Sequence, residues 1–107
     1  MIISIAKQFT KTPGGRYIKE GPYSGEEFRT TLLAPAFNKA SKNGEELIVD
    51  LDGGFGYSPS FLEEAFGGLV RETKSEKVSK IKIVSEEEPS QITKIAGYIS
   101  AALRTIK

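Results

Sequence analysis

The chain contains no cysteine, no histidine and no tryptophan among its 107 residues. Without cysteine or histidine it cannot form a disulfide, a structural zinc site of the usual kind, or a Ser-His-Asp or Cys-His nucleophile. It also lacks the one side chain that titrates near neutral pH without help. Enzymes of those classes are excluded, and we expect a protein without a cofactor or a metal ion.

An excess of charge of one sign is absent as well. Fifteen basic and fourteen acidic side chains leave a net charge of +1, so no bulk field attracts nucleic acid. No window approaches the roughly 18 consecutive apolar residues that cross a bilayer, and the start MIISIAKQF lacks the basic region and cleavage site of a secretory signal. The expectation is a cytoplasmic protein that binds neither nucleic acid nor membrane, with its oligomeric state left open.

Four strands are predicted from short apolar runs: residues 2–9, 16–20, 47–51 and 78–84. The turn Pro13-Gly14-Gly15 favours an antiparallel hairpin between the first two. The third run is almost wholly apolar, which is typical of a strand covered on both faces. The fourth is predicted to be an edge strand, because the charged side chains of Lys80 and Lys82 disfavour its pairing with a strand of another chain.

Three helices are predicted from apolar residues at helical spacing: residues 28–40, 61–70 and 92–106. The first opens with YSGEEF, in which Ser24 caps, Glu27 completes a capping box, and Tyr23 and Phe28 form a hydrophobic staple. Pro35 is expected to kink or restart this helix because it removes a backbone donor. Asn43-Gly44 ends it.

The predicted order is therefore β-β-α-β-α-β-α within one domain spanning residues 1–107. Helices between strands require parallel crossovers, whereas the hairpin adds an antiparallel pair. The fold class is α/β, with a small mixed sheet and helices packed on it.

The stretch DLDGGFGYSPS follows the predicted central strand. Ligands of open α/β sheets usually bind at the carboxyl ends of central strands. We call residues 53–60 the central turn. The candidate site residues in this stretch are Asp50, Asp52, Gly53, Gly54, Phe55, Gly56, Tyr57, Ser58 and Ser60.

One interpretation of this stretch is a small-ligand or Mg²⁺-phosphate site. Asp50 and Asp52 are two apart on a strand and could share a Mg²⁺ ion, with Arg16 as a clamp for an anion. A phosphate cradle without metal is a separate alternative, since a helix N-terminus attracts anions, although GGFGYS matches neither GxGxxG nor GxxxxGK[ST]. Glu63 and Glu64, early in the next helix, would also repel phosphate.

A second interpretation is a protein-docking turn with a serine switch. Two helix starts are open: Ser58 as cap with Pro59 at the first helical position, or Ser60 as cap with Glu63 completing a capping box. With Ser58 as cap, the Ser60 hydroxyl is free, and a phosphate there would change the local charge sharply. The plain structural alternative is that the serines only cap and the glycines only turn.

Two adjacent glycines, Gly67 and Gly68, fall inside the second predicted helix, where each costs about 1 kcal/mol relative to alanine. Glycines at such positions usually permit the close approach of a neighbouring backbone. That backbone could belong to the core of this chain or to a partner.

The blocks GGRY, GPYSGEEFR, DLDG and SFLEEAFGGLVR, in this order over about residues 12–71, resemble the STAS-like domain family of unknown function. The resemblance implies a relation to the STAS superfamily of anti-sigma-factor antagonists, in which a partner kinase phosphorylates a serine at a helix N-terminus. Ser60 then falls at the phosphorylated position and Ser58 at the preceding aspartate. The superfamily's Asp-Ser-Ser-Gly is replaced here by Ser58-Pro59-Ser60-Phe61.

These observations together predict a non-enzymatic regulatory module that interacts with another protein. It would dock through the central turn and the outer face of helix 61–70. The partner implied by the resemblance is a histidine-kinase-type (GHKL) ATPase or a serine kinase. GPYSGEEFR is expected to lie near the central turn.

Overall fold

Three short parallel strands form the sheet of the computed structural model, which describes residues 1–106. The strands are β1 (Ile2–Ser4), β2 (Ile48–Asp50) and β3 (Lys82–Val84). They lie in the order β1-β2-β3, and Ile3 pairs with Val49, which pairs with Ile83. The prediction of an α/β domain with a central strand at residues 47–51 is confirmed.

In the described part of the chain, four helices connect and follow the strands. α1 is Ile5–Gln8 and α4 is Ser90–Thr105. α2 runs without interruption through Gly25–Phe28, Arg29–Leu33 and Ala34–Asn43. α3 runs in the same way through Pro59–Leu62, Glu63–Gly67 and Gly68–Thr73. The middle segments of α2 and α3 are π-type turns, and Ile18–Glu20 and Glu76–Lys80 are 3₁₀ turns. Within residues 1–106, none of these helices has the length and apolarity needed to cross a bilayer.

The predicted second strand is wrong, and the sheet is parallel rather than mixed. β1 ends at Ser4, whose hydroxyl accepts from the Lys7 N–H at 3.2 Å and so starts α1. Residues 16–20 do not pair with the sheet. The Glu20 carboxylate instead accepts from the Arg16 and Tyr17 N–H groups at 3.1 and 2.8 Å. These local bonds satisfy the donors that a hairpin would have used.

The fourth predicted strand is shorter than expected. Residues 76–80 form a 3₁₀ turn that buries Val78, and only Lys82–Val84 pairs with β2. Its position at an edge of the sheet is confirmed, and both Lys80 and Lys82 are exposed there.

The α-helical segment of α2 restarts beside Pro35, in agreement with the prediction, and α2 as a whole stays continuous. The π-type turn at Arg29–Leu33 immediately precedes it, and Pro35 occupies the start of the following α-helical segment. A widened turn tolerates the missing N–H, since π-type turns are a common way to absorb a local irregularity. The helix then ends as predicted at Gly44, which has a φ of 67°.

One face of the sheet carries the core. The chain passes from β1 through α2 to β2, and from β2 through α3 to β3, moving the same way across the sheet each time. Because such connections are right-handed, α2 and α3 lie on the same face of the sheet. Leu47, Val49 and Leu51 of the central segment are buried on that face, whereas Ile48 and Asp50 are only half-buried. The prediction that this strand is covered on both faces is therefore wrong.

Candidate functional site

Hydrogen bonds to three residues outside the central turn hold it in place. The Gly53 N–H donates to Glu87 Oε1 and the Phe55 N–H donates to the Lys11 carbonyl, each at 2.8 Å. The Tyr57 hydroxyl donates to the Leu51 carbonyl, also at 2.8 Å. Gly53 and Gly56 have φ values of 93° and 127°, a region that residues with a Cβ rarely adopt. The turn is thus a fixed structure.

The two aromatic side chains of the turn have opposite environments. Phe55 is 82% exposed. Tyr57 is half-buried, with its ring 5.7 Å from that of Phe61. Burial, followed by the charges of Asp50, Asp52 and Glu87, raises the pKa of Tyr57 well above its usual range. Of these two side chains, only Phe55 presents a large apolar surface to a partner.

The helix after the turn begins at Ser58. Its hydroxyl accepts from the Phe61 N–H at 3.1 Å and donates to the Gly14 carbonyl at 3.3 Å, and Pro59 occupies the first helical position. Of the two predicted starts, the one at Ser58 is confirmed. Ser60 lies half-exposed in the first turn, and its hydroxyl makes no hydrogen bond within residues 1–106.

The two aspartates act as local tethers. Asp50 Oδ1 accepts from the Asp52 N–H at 2.9 Å, and the Asp52 carboxylate accepts from the Glu86 and Glu87 N–H groups at 3.0 Å each. They join the end of β2 to the loop after β3. Among the residues that the structure describes, no group of three or more His, Cys, Asp or Glu side chains is placed to hold a metal ion.

Arg16 lies away from the aspartates, in a cluster of arginine and glutamate side chains. Its Nη1 donates to Glu63 Oε1 at 2.6 Å, and Arg29 Nη1 donates to Glu64 Oε2 at 2.6 Å. We call this set the ion-pair cluster; its members are Arg16, Arg29, Glu63, Glu64, Arg71 and Glu72. The structure therefore separates Arg16 from the two carboxylates with which it was predicted to act.

Hydrogen bonding shifts the pKa values within the cluster. The bonds from Arg71 and then Arg16 hold the pKa of Glu63 below its ordinary value, although burial opposes the shift. The same bonds raise the pKa of Arg16 and Arg71. Glu63 and Glu64 are thus neutralised by arginine, so they oppose a nearby anion less than the sequence suggested.

Gly67 and Gly68 make room for this cluster. A Cβ added at Gly67 would meet the Glu63 carboxylate, and one added at Gly68 would meet the Arg29 guanidinium. The predicted close approach of a backbone is wrong, because charged side chains fill that space. Sequence reasoning missed the cluster, although the adjacent glycines were a signal that something passes close to the helix.

The GPYSGEEFR block lies beside the central turn, as predicted. A Cβ at Gly25 would meet the Phe61 backbone carbonyl. The Gly25 N–H donates to the Gly15 carbonyl at 2.9 Å, and Gly14 in turn bonds Ser58. The GGRY and GPYSGEEFR blocks thus hold the starts of α2 and α3 together.

Ser24 caps α2 by accepting from the Glu27 N–H at 3.0 Å, which confirms the predicted cap. The Glu27 carboxylate accepts from the Tyr23 N–H, one residue earlier than a standard capping box requires. Tyr23 and Phe28 both pack against Phe9, at ring-centroid distances of 5.5 and 5.4 Å.

Helix α3 has almost no outer face between residues 61 and 70. Every residue in that range is buried except Glu63, which is half-buried. Glu64 is only 8% exposed. The helix and Glu64 therefore cannot form a docking surface, and the prediction that this helix presents an outer face is wrong. Within the predicted docking region, the exposed surface lies in the central turn.

A family model described as a STAS-like domain of unknown function (DUF4325) matches residues 24–91, more than half of the chain. The matched range contains DLDG, SFLEEAFGGLVR and GPYSGEEFR from Ser24 onward, while GGRY lies before it. No curated protein and no solved structure that was compared matches the chain. By its matched sequence, and with the small α/β fold described above, the chain belongs to the STAS-like domain family of unknown function.

Proposed function

We propose that the chain is a non-enzymatic regulatory module that docks onto another protein through the central turn. The observation that carries this proposal is the exposure of Phe55, at 82%, on a turn fixed by hydrogen bonds to three other segments. A large aromatic side chain on a fixed backbone loses little freedom on binding, and such residues dominate the affinity of protein interfaces.

The proposed surface is smaller than the one the sequence suggested. It comprises Phe55, Gly56, Ser58 and Pro59, all of which are exposed. The proposed partner class is an ATPase of the histidine-kinase type or a serine kinase, which rests on the resemblance to anti-sigma-factor antagonists. The position of Ser60 supports a serine switch, since its hydroxyl is half-exposed and unbonded within residues 1–106.

The alternative function is a small-ligand or Mg²⁺-phosphate site at Asp50 and Asp52, and the geometry of these residues supports it less well than it supports docking. Both carboxylates accept backbone N–H groups, and Arg16 bonds glutamates elsewhere. Among residues 1–106, these two carboxylates have no third His, Cys, Asp or Glu side chain placed to complete a metal site. The docking proposal uses side chains that are already exposed.

Phe55→Ala is expected to weaken partner binding at least roughly thirtyfold without unfolding the chain. The side chain is exposed, so its removal should change the free energy of unfolding by no more than about 0.5 kcal/mol. Removing a central aromatic contact typically costs at least about 2 kcal/mol of binding, or roughly thirtyfold in affinity. The measurement is quantitative affinity capture from the native cell with immobilised wild type and variant.

Ile18→Ala is the matched control for that experiment, because Ile18 is also an exposed apolar residue, at 52%, but lies on the 3₁₀ turn Ile18–Glu20. Wild type and Ile18→Ala should retain the same ATPase or kinase, and Phe55→Ala should lose it. Equal recovery by all three proteins would refute docking through the central turn.

Ser60→Glu is expected to change the affinity for the captured partner severalfold while leaving the fold intact. The added carboxylate lies in the first turn of α3, where the helix dipole stabilises a negative charge by about 0.3–1 kcal/mol. Binding of the purified partner to wild type, Ser60→Glu and Ser60→Ala measures the effect. If the three affinities coincide, the switch fails, although docking through Phe55 stands.

A further inference from the structure

The outer edge of β3 is unpaired. In the described part of the chain the sheet ends at this strand, and no fourth strand lies beside it. The Lys82 N–H donates to the Leu47 carbonyl at 2.9 Å, and the Val84 carbonyl accepts from the Leu51 N–H at 2.8 Å. Because successive residues of a strand direct their backbone groups to opposite sides, the N–H and C=O of Ile83 point to the outer edge. A further strand could therefore extend the sheet here.

An apolar groove follows this edge. It has a volume of about 160 Å³ and lies between β3 and α4. Five isoleucines contribute to its lining: Ile81, Ile83, Ile92, Ile95 and Ile99. Ile92 is 42% exposed and Ile83 is half-buried, so apolar surface is open to solvent along the edge. A strand that pairs with β3 would bring its own side chains over this surface and remove it from water.

The sequence around β3 carries opposite charges at its two ends. Three exposed lysines precede the midpoint of the strand and three exposed glutamates follow it: Lys77, Lys80, Lys82, Glu86, Glu87 and Glu88. Two copies of this segment that run antiparallel place the basic half of each opposite the acidic half of the other. Parallel copies would place like charges together. The lysines that disfavour pairing with most strands therefore favour an antiparallel copy of the same chain.

A register centred on Ile83 fits this edge. Ile83 then lies opposite its own copy as a hydrogen-bonded pair, in which the two residues exchange both N–H···O bonds. Lys82 lies opposite Val84 of the second copy, and Lys80 lies opposite Glu86. Opposite residues of an antiparallel pair point to the same face, so Lys80 and Glu86 can form an ion pair. Within residues 1–106, neither of these two side chains has an ionic partner.

We propose that two copies of the chain associate through the outer edge of β3, joining their three-stranded sheets into one continuous antiparallel contact with α4 of each copy beside the twofold axis. The contact is self-complementary, because each copy contributes the same strand edge, the same apolar groove and the same two charged ends. The central turn follows β2 rather than β3, so this association and the docking of a different protein use separate surfaces.

Sedimentation velocity of the full chain over a range of concentrations tests the proposal. We expect a reversible equilibrium between monomer and dimer, of low affinity because the strand that pairs is only three residues long. Raising the salt concentration should weaken the dimer, since salt screens ion pairs between exposed side chains. A chain that stays monomeric up to its highest soluble concentration overturns the proposal.

Lys80→Glu and Glu86→Lys should each weaken the dimer at least about tenfold, because each places like charges opposite one another at two symmetric positions. The double variant restores opposite charges with their signs exchanged, and it should dimerise nearly as well as wild type. A register centred on Val84 would place Lys82, not Lys80, opposite Glu86, and the double variant would then not be rescued. Rescue is therefore specific to the proposed pairing.

Lys39→Glu is the matched control, because Lys39 is exposed on α2 and undergoes the same change of charge; its dimerisation should equal that of wild type. Ile92→Ser removes exposed apolar surface from the groove and should weaken the dimer severalfold. Thermal unfolding shows that each variant is folded. The proposal is overturned if either charge reversal dimerises as wild type does, or if the double variant dimerises no better than the single ones.

These measurements contain no other protein, so they separate self-association from the proposed docking function. A dimer that Phe55→Ala retains and Lys80→Glu loses supports association through β3, whether or not a partner is captured by the central turn. A monomeric wild type that still captures a partner through Phe55 overturns the association and leaves docking intact.

Discussion

Gly25→Ala is expected to lower the free energy of unfolding by about 3 kcal/mol, at the upper end of the usual cost of overpacking. The added Cβ would meet the backbone carbonyl of Phe61. A backbone atom cannot move aside as the end of a side chain can, so α2 and α3 would have to separate at the point where the central turn enters its helix. Thermal unfolding should show a Tm lower by at least roughly 12 °C.

Gly97→Ala is the control for that result. Gly97 lies in α4, and a Cβ there has nothing within 4 Å. Replacing an unconstrained helical glycine by alanine should stabilise the chain by up to about 1 kcal/mol. The two variants make the same chemical change with opposite expected signs. A Gly25→Ala protein as stable as wild type would contradict the close contact between the two helix starts.

Glu64→Gln is expected to lower the free energy of unfolding by about 2 to 3 kcal/mol. The Glu64 carboxylate accepts from Arg29 at 2.6 Å and also lies 3.4 Å from Arg16. Removing its charge leaves Arg29, which is largely buried, with only the exposed Glu72 as an ionic partner. Breaking one side of a buried ion pair is costly for this reason. Chemical denaturation at neutral pH measures the loss.

Glu72→Gln makes the same substitution on the other side of Arg29. The Glu72 side chain is 43% exposed, against 10% for Glu64, and exposed ion pairs contribute only about 0.2 to 1 kcal/mol. We therefore expect a loss of at most about 1 kcal/mol. Equal losses for the two variants would show that burial does not set the strength of the ion-pair cluster.

The sequence predicted the starts of α2 and α3 and the end of α2 well, because caps depend on near neighbours, but it missed α1, which lies within the first predicted strand. Ser24 bonds Glu27, Ser58 bonds Phe61, and Gly44 ends α2 with its own conformation. In each case the atoms involved lie at most a few residues apart. The α/β class followed in the same way, from helical patterns that alternate with apolar runs.

Contacts between distant segments could not be predicted in this way. Arg16 and Glu63 are 47 residues apart in sequence, and nothing near Arg16 indicates that its partner is a glutamate on α3. The prediction of a hairpin was wrong for the opposite reason, since it missed local contacts. The Glu20 and Ser4 side chains accept from nearby backbone N–H groups, and the pattern of apolar residues carries no information about such bonds.

The loop after β2 and the loop after β3 each accept hydrogen bonds from the backbone of the other. Asp52, before the central turn, accepts from the N–H groups of Glu86 and Glu87, and Glu87 accepts from the Gly53 N–H. An outward movement of either loop has to break bonds to the other. The two loops are therefore expected to open together, as one local unit, rather than separately.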